Sequence, residues 1–300
     1  MIDYAKITDI FCLVDEFCQQ FDTTTQSFLL GKASKRPPCM SKSEVICICL
    51  LFHLSGFSCF KHFYQYYVQR HMPGEFPQTV SYHRFVELSP SVLLPMTIFL
   101  KTCCLGSCTG ISFVDSTPIR VCHNKRIKRN KVFQDIAQVG KSTMGWFYGF
   151  KLHIVIHIVI NDKGEILNFS ITQANGDDRE PLKKENFLKA VFGKLFADKG
   201  YISEKLTQIL FINDIHLFTN IRYNMKNSLM SMADKILLRK RSVIETVNDE
   251  LKNICQLEHS RHRSFANFLT NTVAGLIAYA FRPKKPAISF HTADNHLACF

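Results

Sequence analysis

The sequence predicts an α/β protein in which a helical front third precedes a domain built on a mixed five-stranded sheet flanked by helices. Three observations carry this reading. Up to about residue 109 the apolar positions recur at helical spacing, whereas from Gly110 onward short runs of strand character take over. Those runs then follow the order strand, strand, strand, helix, strand, helix, strand, helix. Finally, 46% hydrophobic residues in a chain of 300 are ample to bury a core in one large domain or two ordinary ones.

In the front part, Ser41, Ser43 and Glu44 head the apolar run Val45 to Leu54 as a capped helix would, and Gly56 breaks it. Cys59 to Arg70 interleaves Phe60, Phe63, Tyr64, Tyr66 and Tyr67 with Lys61, His62 and Arg70, and Pro73-Gly74 ends it. Thr79 to Leu88 opens on a capping-type Thr or Ser and carries Tyr82, His83 and Arg84 on its first turns. Two helices, a turn and a short helix with polar residues at its start describe either a DNA-reading helix-turn-helix or a plain helical bundle. Ser89 to Lys101 is apolar and packs that bundle.

In the second part, Ile111 to Val114 reads as a short strand ending on Asp115, and Phe147 to Ile160 as a long second strand. Asn161 to Gly164 is a turn and Glu165 to Gln173 the third strand, so these two form a hairpin. Asp177-Asp178 start a helix through Val191, where carboxylates favour the helix dipole. Lys194 to Ala197 is the fourth strand, ending on Asp198, with Gly200 permitting a sharp turn beside it. Ser203 to Asn213 is a helix, Ile215 to Thr219 the fifth strand, and after a basic loop a helix runs over Leu237 to Lys252. The sequence thus divides into residues 1–109, 110–284 and an aperiodic tail, 285–300. Within the second strand HIVI at His153 to Ile156 is repeated at His157 to Ile160, as a tandem duplication of four residues would leave it. Because strand period is two, an insertion of four keeps every side chain on its own face, so removing Ile154 to His157 is expected to preserve the fold. The surplus would form an overlong hairpin or a bulge.

Lys and Arg number 37 against 25 Asp and Glu, a net charge of +12, which favours polyanionic partners, nucleic acid before membrane. The 12 Cys are scattered, without the paired CxxC or Cys/His spacing of a structural zinc, and fit reduced thiols. No uncharged run of eighteen apolar residues occurs, and the acidic, amphipathic amino terminus is unlike a secretory signal, so a cytoplasmic, nucleoid-associated location is expected.

The acids carry the functional expectation. The strand and helix order resembles the ribonuclease H-like fold, in which the first and fourth strands are neighbours, so Asp115 and Asp198 would lie side by side. Glu245, on the helix after the fifth strand, would complete a set of three carboxylates. Hard divalent cations such as Mg²⁺ or Mn²⁺ take such oxygen ligands, and a pair of ions ~4 Å apart can activate one oxygen and stabilise another in an in-line displacement at phosphorus. Arg241, Glu245 and Lys252 fall near one helical face, which taken alone is equally an ordinary solvated ion pair. Arg120, Lys125, Arg126, Lys128, Arg129 and Lys131 crowd the stretch after Asp115, and each cation that neutralises a phosphate adds about 0.9 to the salt slope of duplex binding. Arg261, His262 and Arg263 either contact DNA or cap the last helix. Trp146 and Tyr148 either stack on a base or, the safer assignment, are buried in the sheet, and Asp135, Asp177 and Asp178 read as structural.

Several segments resemble one family: VDSTPIRVCHNKRIKRNK from Val114, GWFYGFKLH from Gly145, ADKGY from Ala197, the Arg-x3-Glu-x6-Lys spacing of Arg241, Glu245 and Lys252, and HSRHRS at 259–264. Together, over residues 110 to 282, they are similar to DDE transposases of bacterial insertion sequences, most closely the IS982 family. The resemblance implies that Asp115, Asp198 and Glu245 are the catalytic, metal-binding triad, with Mg²⁺ or Mn²⁺ as cofactor and DNA as partner. It implies cleavage of element ends and their joining to target DNA, with water and then a 3′ hydroxyl as nucleophile, in a dimer or larger assembly that brings two ends together. Where this broad class often carries a Tyr three residues before the signature Arg, this chain has Leu238. A same-fold nuclease without strand transfer, or a decayed transposase that only binds DNA, shares the same sequence features.

Overall fold

The structure is a computed structural model and describes residues 4–28, 38–142, 145–159, 163–220, 223, 230–258 and 262–288. Helix α1 (Tyr4–Thr25) buries Ile7, Ile10, Val14 and Cys18 on one face, at steps of three and four residues. Helix α2 (Lys42–Ser55) is buried along most of its length. Its start is a capping box in which the Ser41 hydroxyl accepts from the Glu44 amide at 3.0 Å and the Glu44 carboxylate takes the Ser41 amide at 2.6 Å. Gly56, left-handed at φ 77°, ends it. Short helices α3 (Phe60–His62) and α4 (Gln69–His71) flank a π-helical stretch, Phe63–Val68, and the whole Phe60–His71 run turns 118° from α2.

Helix α5 (Tyr82–Leu88) is capped by the Ser81 hydroxyl and continues through a 3-10 turn into α6 (Leu93–Phe99). By length and composition the run Tyr82–Cys104 is apolar enough to cross a membrane; here it places Phe85, Val92, Met96, Phe99 and Leu100 in the core.

Strands β1 (Ile111–Cys122), β2 (Gln138–Ser142), β3 (Gly145–Val159), β4 (Lys163–Gln173), β5 (Gly193–Ala197) and β6 (Ile215–Thr219) make one mixed six-stranded sheet. Its order is β2-β3-β1-β5-β6, with β4 also on β3. β1, β3 and β4 are antiparallel, whereas β5 joins β1 and β6 in parallel. The sixth strand, β2, pairs with Gly145 to Gly149 of β3, and β4 takes over from Phe150, so the two lie in line along one edge of β3. β1 does not end at Asp115: β3 supplies it partners from Ser112 to Cys122, even though β5 leaves it after Phe113. Where β1 and β3 cross closely, Gly149 (φ 154°) is required, because a Cβ there would lie 2.1 Å from the Ile119 carbonyl oxygen. Part of the repeated HIVI is in the ladder, with His157 opposite Ser112 and Ile156 opposite Phe113, and the β3–β4 register shifts between Val155 and Ile156. Ile160 lies outside the described residues.

The segment after β4 is not one helix. Asp177 to Glu180 form a turn, followed by a 3-10 turn, Pro181–Lys183, and the single turn α7 (Glu185–Leu188). Asp177 is drawn to the Arg179 guanidinium at 2.5 Å, and Asp178 accepts from Ser116 and Lys151, both at 2.9 Å. These bonds take the two carboxylates away from a helix-capping role. Helix α8 (Glu204–Ile212) covers β6 and begins at the capping hydroxyl of Ser203. The expected helix over Leu237 to Lys252 is two: α9 (Met232–Arg239) stops at Lys240, and α10 (Ser242–Asp249) restarts behind Arg241, then loosens into a π turn, Glu250–Ile254. Helix α11 (Phe265–Ala280) packs against α2 and α6, and buried His53 of α2 meets the Cys255 carbonyl after that π turn. One apolar core therefore runs from the front helices to the sheet face that carries β1 and β3.

Candidate active site

Register places the first two acids. β1 and β5 are parallel with Phe113 opposite Phe196, and Asp115 and Asp198 each stand two residues further on. Asp115 is still within β1, whereas Asp198 stands just past the end of β5, where the pairing of the two strands has already stopped. Phe113, Phe196 and Phe218 stack across the three strands at ring distances of 5.3 and 5.2 Å, an apolar floor leading up to the acids. The chain leaves Asp198 through a 3-10 turn, Lys199–Tyr201, in which Gly200 is not left-handed and its freedom is not used.

The third acid comes from α10, which packs on β1. Arg241 starts this helix and its guanidinium Nη2 lies 3.0 Å from Glu245 and 3.8 Å from Asp198, so two of the acids share one guanidinium nitrogen. Its side chain is 15% exposed, whereas those of Asp198 and Glu245 are 52% and 59% exposed. One turn beyond Glu245, Asn248 donates to the Asp115 carboxylate at 3.2 Å and fixes α10 over β1. Its other amide atom, Oδ1, is buried without a partner among the described residues.

Asp115 is the electrostatically unusual member. Burial pushes its carboxyl up to about 6, against the lowering pull of Arg241 and with Glu245 and Asp198 raising it further. Near it, the buried Tyr201 hydroxyl interacts with Ser116. Burial first, then the Asp115 and Asp178 charges, drive that phenol well above its usual range. On the other side of the sheet, Lys151 holds Asp178 at 2.9 Å and the Gly176 carbonyl at 3.0 Å, and Ser116 donates to the same Asp178 oxygen. Asp178 is thus a fourth carboxylate close to the site, neutralised by its own lysine.

Of the basic residues, Lys125, Arg126, Lys128 and Arg129 lie on a 3-10 turn, Asn124–Arg129, and Lys131 follows it. All five are exposed, and among the described residues none forms a salt bridge. Arg120 meets Glu258 at 3.9 Å, as does Lys252, whose ammonium is lowered by burial. Arg263 is exposed and Arg261 lies outside the described residues. Trp146 is not buried in the sheet: the cover of α11 and Phe133 ends over Tyr148, whose hydroxyl donates to the Phe133 carbonyl at 2.8 Å, and Trp146, two residues outward, is 61% exposed. Asn248 and Tyr201 are additions to the expected site. Their sequence signals are a polar residue three after Glu245 on the same helical face and an aromatic three after Asp198.

The donors here are all oxygen, the chemistry of a hard divalent cation rather than of zinc. As they stand, no three His, Cys, Asp or Glu side chains among the described residues are grouped tightly enough to hold a metal; Arg241 supplies the positive charge between two of the acids. Asn248 Oδ1 is a buried polar atom beside Asp115 left without a partner among the described residues.

A mixed sheet of this order, flanked by helices and preceded by a helical region, is a ribonuclease H-like architecture. Residues 105–265 match the family described as the transposase DDE domain, and since this is more than half of the chain, the protein belongs to that family. No curated protein matches the chain. Membership implies a nuclease or transposase activity and DNA as the partner.

Proposed function

We propose that the protein is a DNA transposase of the IS982 kind, which cuts the ends of an insertion element and joins them to target DNA with Asp115, Asp198 and Glu245 as its catalytic carboxylates. The observation that carries this reading is the matched offset of Asp115 and Asp198 beyond Phe113 and Phe196 on adjacent parallel strands, with Glu245 tied to Asp198 through Arg241. Asp115, Asp198 and Glu245 would hold Mg²⁺ or Mn²⁺, which when bound supplies activation of the attacking oxygen and stabilisation of the leaving one. Asp115 carries a proton below about pH 6, so cation uptake there competes with protonation. Asn248 orients the Asp115 carboxylate, and the Lys151–Asp178 pair keeps the neighbouring negative charge compensated. Lys125, Arg126, Lys128, Arg129 and Lys131, on the continuation of β1, receive the DNA backbone, with Arg120 and Arg263 at the margins. Two element ends require two active sites, so the acting species is a dimer or higher assembly, in the cytoplasm on nucleoid DNA.

The test incubates the purified protein with end-labelled DNA carrying element ends, in Mg²⁺ or in chelator. Cleavage with joining is the expected result, cleavage alone means a nuclease, and Asp115→Asn should abolish both. Full metal-dependent cleavage by Asp115→Asn would remove the triad assignment.

A further inference from the structure

Trp146 stands at the outer end of β3 with Lys141 of β2 opposite it in the ladder, and the Lys141 ammonium lies 5.8 Å from the indole centre. The backbone at this point is pinned by Asn124, which donates to the Trp146 carbonyl at 2.8 Å and ties the strand to the basic Asn124–Arg129 turn. An indole of this exposure costs hydration free energy that a monomeric fold ordinarily avoids by burial. Lys141 lies over it, and Lys125, Arg126, Lys128 and Arg129, all exposed, belong to the turn that Asn124 ties to its backbone.

From these contacts we infer that Trp146 is a stacking platform for an unpaired DNA base, with the adjoining cations on the flanking phosphates; the inference rests on the reading of the protein as DNA-acting. The lysine sits over the indole, which is nevertheless 61% exposed and so offers surface on which a ring can stack. Inside a duplex every base face is already covered by its neighbours, so the ring that fits is one whose face is open, in a single strand or at a strand terminus. Stacking of this kind tolerates any base, while the cations make binding salt-dependent.

Placement agrees with a single DNA track. Ile154 lies opposite Asp115, and Trp146 is eight residues back along the same strand, on the same side of the sheet because eight is even. At ~3.3 Å per residue the two are about 26 Å apart. That is roughly eight nucleotides at the duplex rise of 3.4 Å each, and fewer for an extended single strand. A strand whose reacting phosphate is at the acids therefore reaches the platform within about eight nucleotides.

Trp146 is the one tryptophan in the chain, so its emission reports on this site alone. The experiment titrates the full-length protein, in chelator, with oligothymidine and with a blunt duplex, following tryptophan emission and, separately, binding by anisotropy of a labelled strand. Oligothymidine should quench the emission strongly and the duplex should not. Trp146→Ala should weaken single-strand binding by roughly tenfold or more, leave duplex binding unchanged, and melt like the wild type, with Trp146→Phe retaining most of the affinity. Single-strand binding without quenching, or equal loss for both DNAs, would overturn the platform while leaving the catalytic reading intact. Failure of the wild type to bind either DNA would overturn both.

Discussion

Replacing Asp115 with Asn in the metal-free protein should make it more stable, and the amount follows from the site. In the folded chain the Asp115 carboxyl titrates at about 6 against an ordinary 3.8, because burial penalises its charged form. A carboxyl whose folded value is raised binds protons more readily in the folded state, so stability rises as pH falls through 6 toward 3.8 and the full penalty is present above 6. Converted at 1.36 kcal/mol per unit, that penalty is about 3 kcal/mol near pH 7.5. Asn is isosteric, carries no charge to desolvate, and can still accept from Asn248 through its amide oxygen.

Thermal melts in chelator near pH 7.5 should therefore place Asp115→Asn roughly 5 to 10 °C above the wild type. By pH 5 the advantage should fall to about half, since the wild-type carboxyl is by then largely protonated when folded. Comparing the two proteins at each pH cancels every other titrating group. Mg²⁺ should close the gap and then reverse the order: at a hundredfold excess over its dissociation constant it adds about 2.7 kcal/mol to a protein that binds it, at a thousandfold excess about 4.1 kcal/mol, and little to the variant. A variant that melts at or below the wild type in chelator, or an advantage that grows toward acid, would show that Asp115 is not a desolvated carboxylate.

Two further outcomes follow from the same geometry. Arg241→Gln should lower metal-free stability by only about 1 kcal/mol, because the acids it leaves, Asp198 and Glu245, are more than half exposed and rehydrate, and should tighten Mg²⁺ or Mn²⁺ binding measured by calorimetry; weaker binding would show that Arg241 does not compete for those carboxylates. His53, His153 and His262 are each held down to about 4 by burial, below the ordinary 6.5 of the unfolded chain, so the unfolded state gains protons first and stability is lost as pH falls from 6.5 toward 4; a flat melting temperature across that window would refute it.

What the sequence made legible was whatever depends on local pattern. The Ser41 to Glu44 box starts α2 where expected, and the apolar runs before Asp198 and over Ile215 to Thr219 became β5 and β6 as read. What it hid depends on partners distant in the chain. Gln138 to Ser142 has little strand character of its own, and becomes β2 because the outer end of β3 offers an edge that β4 has already left. Asp177-Asp178 look like a helix start, but Lys151 and Ser116 compete for Asp178 and Arg179 for Asp177, and Pro181 takes a 3-10 turn. Trp146 carries a strand-type aromatic signal whichever way it points; where the covering helix stops is a tertiary fact.

The candidate site divides along the same line. An i,i+4 pair of Arg241 and Glu245 is written in the spacing and is found at 3.0 Å, yet the spacing assumed an unbroken helix and the chain breaks at Lys240. That break places Arg241 ahead of the first turn of α10, where its guanidinium reaches past Glu245 to Asp198. A mid-helix arginine faces its own helical neighbours; one at the helix start can cross to another element. The consequence is a set of acids already carrying a positive charge before any cation arrives, and Arg241 must leave two carboxylates for them to serve as ligands. Its bridge to Asp198 joins the start of α10 to the chain just beyond β5, while buried Val243, Ile244 and Val247 seat the helix. Asn248, one turn further along, ties the same helix to Asp115, so the helix touches the acids from two sides.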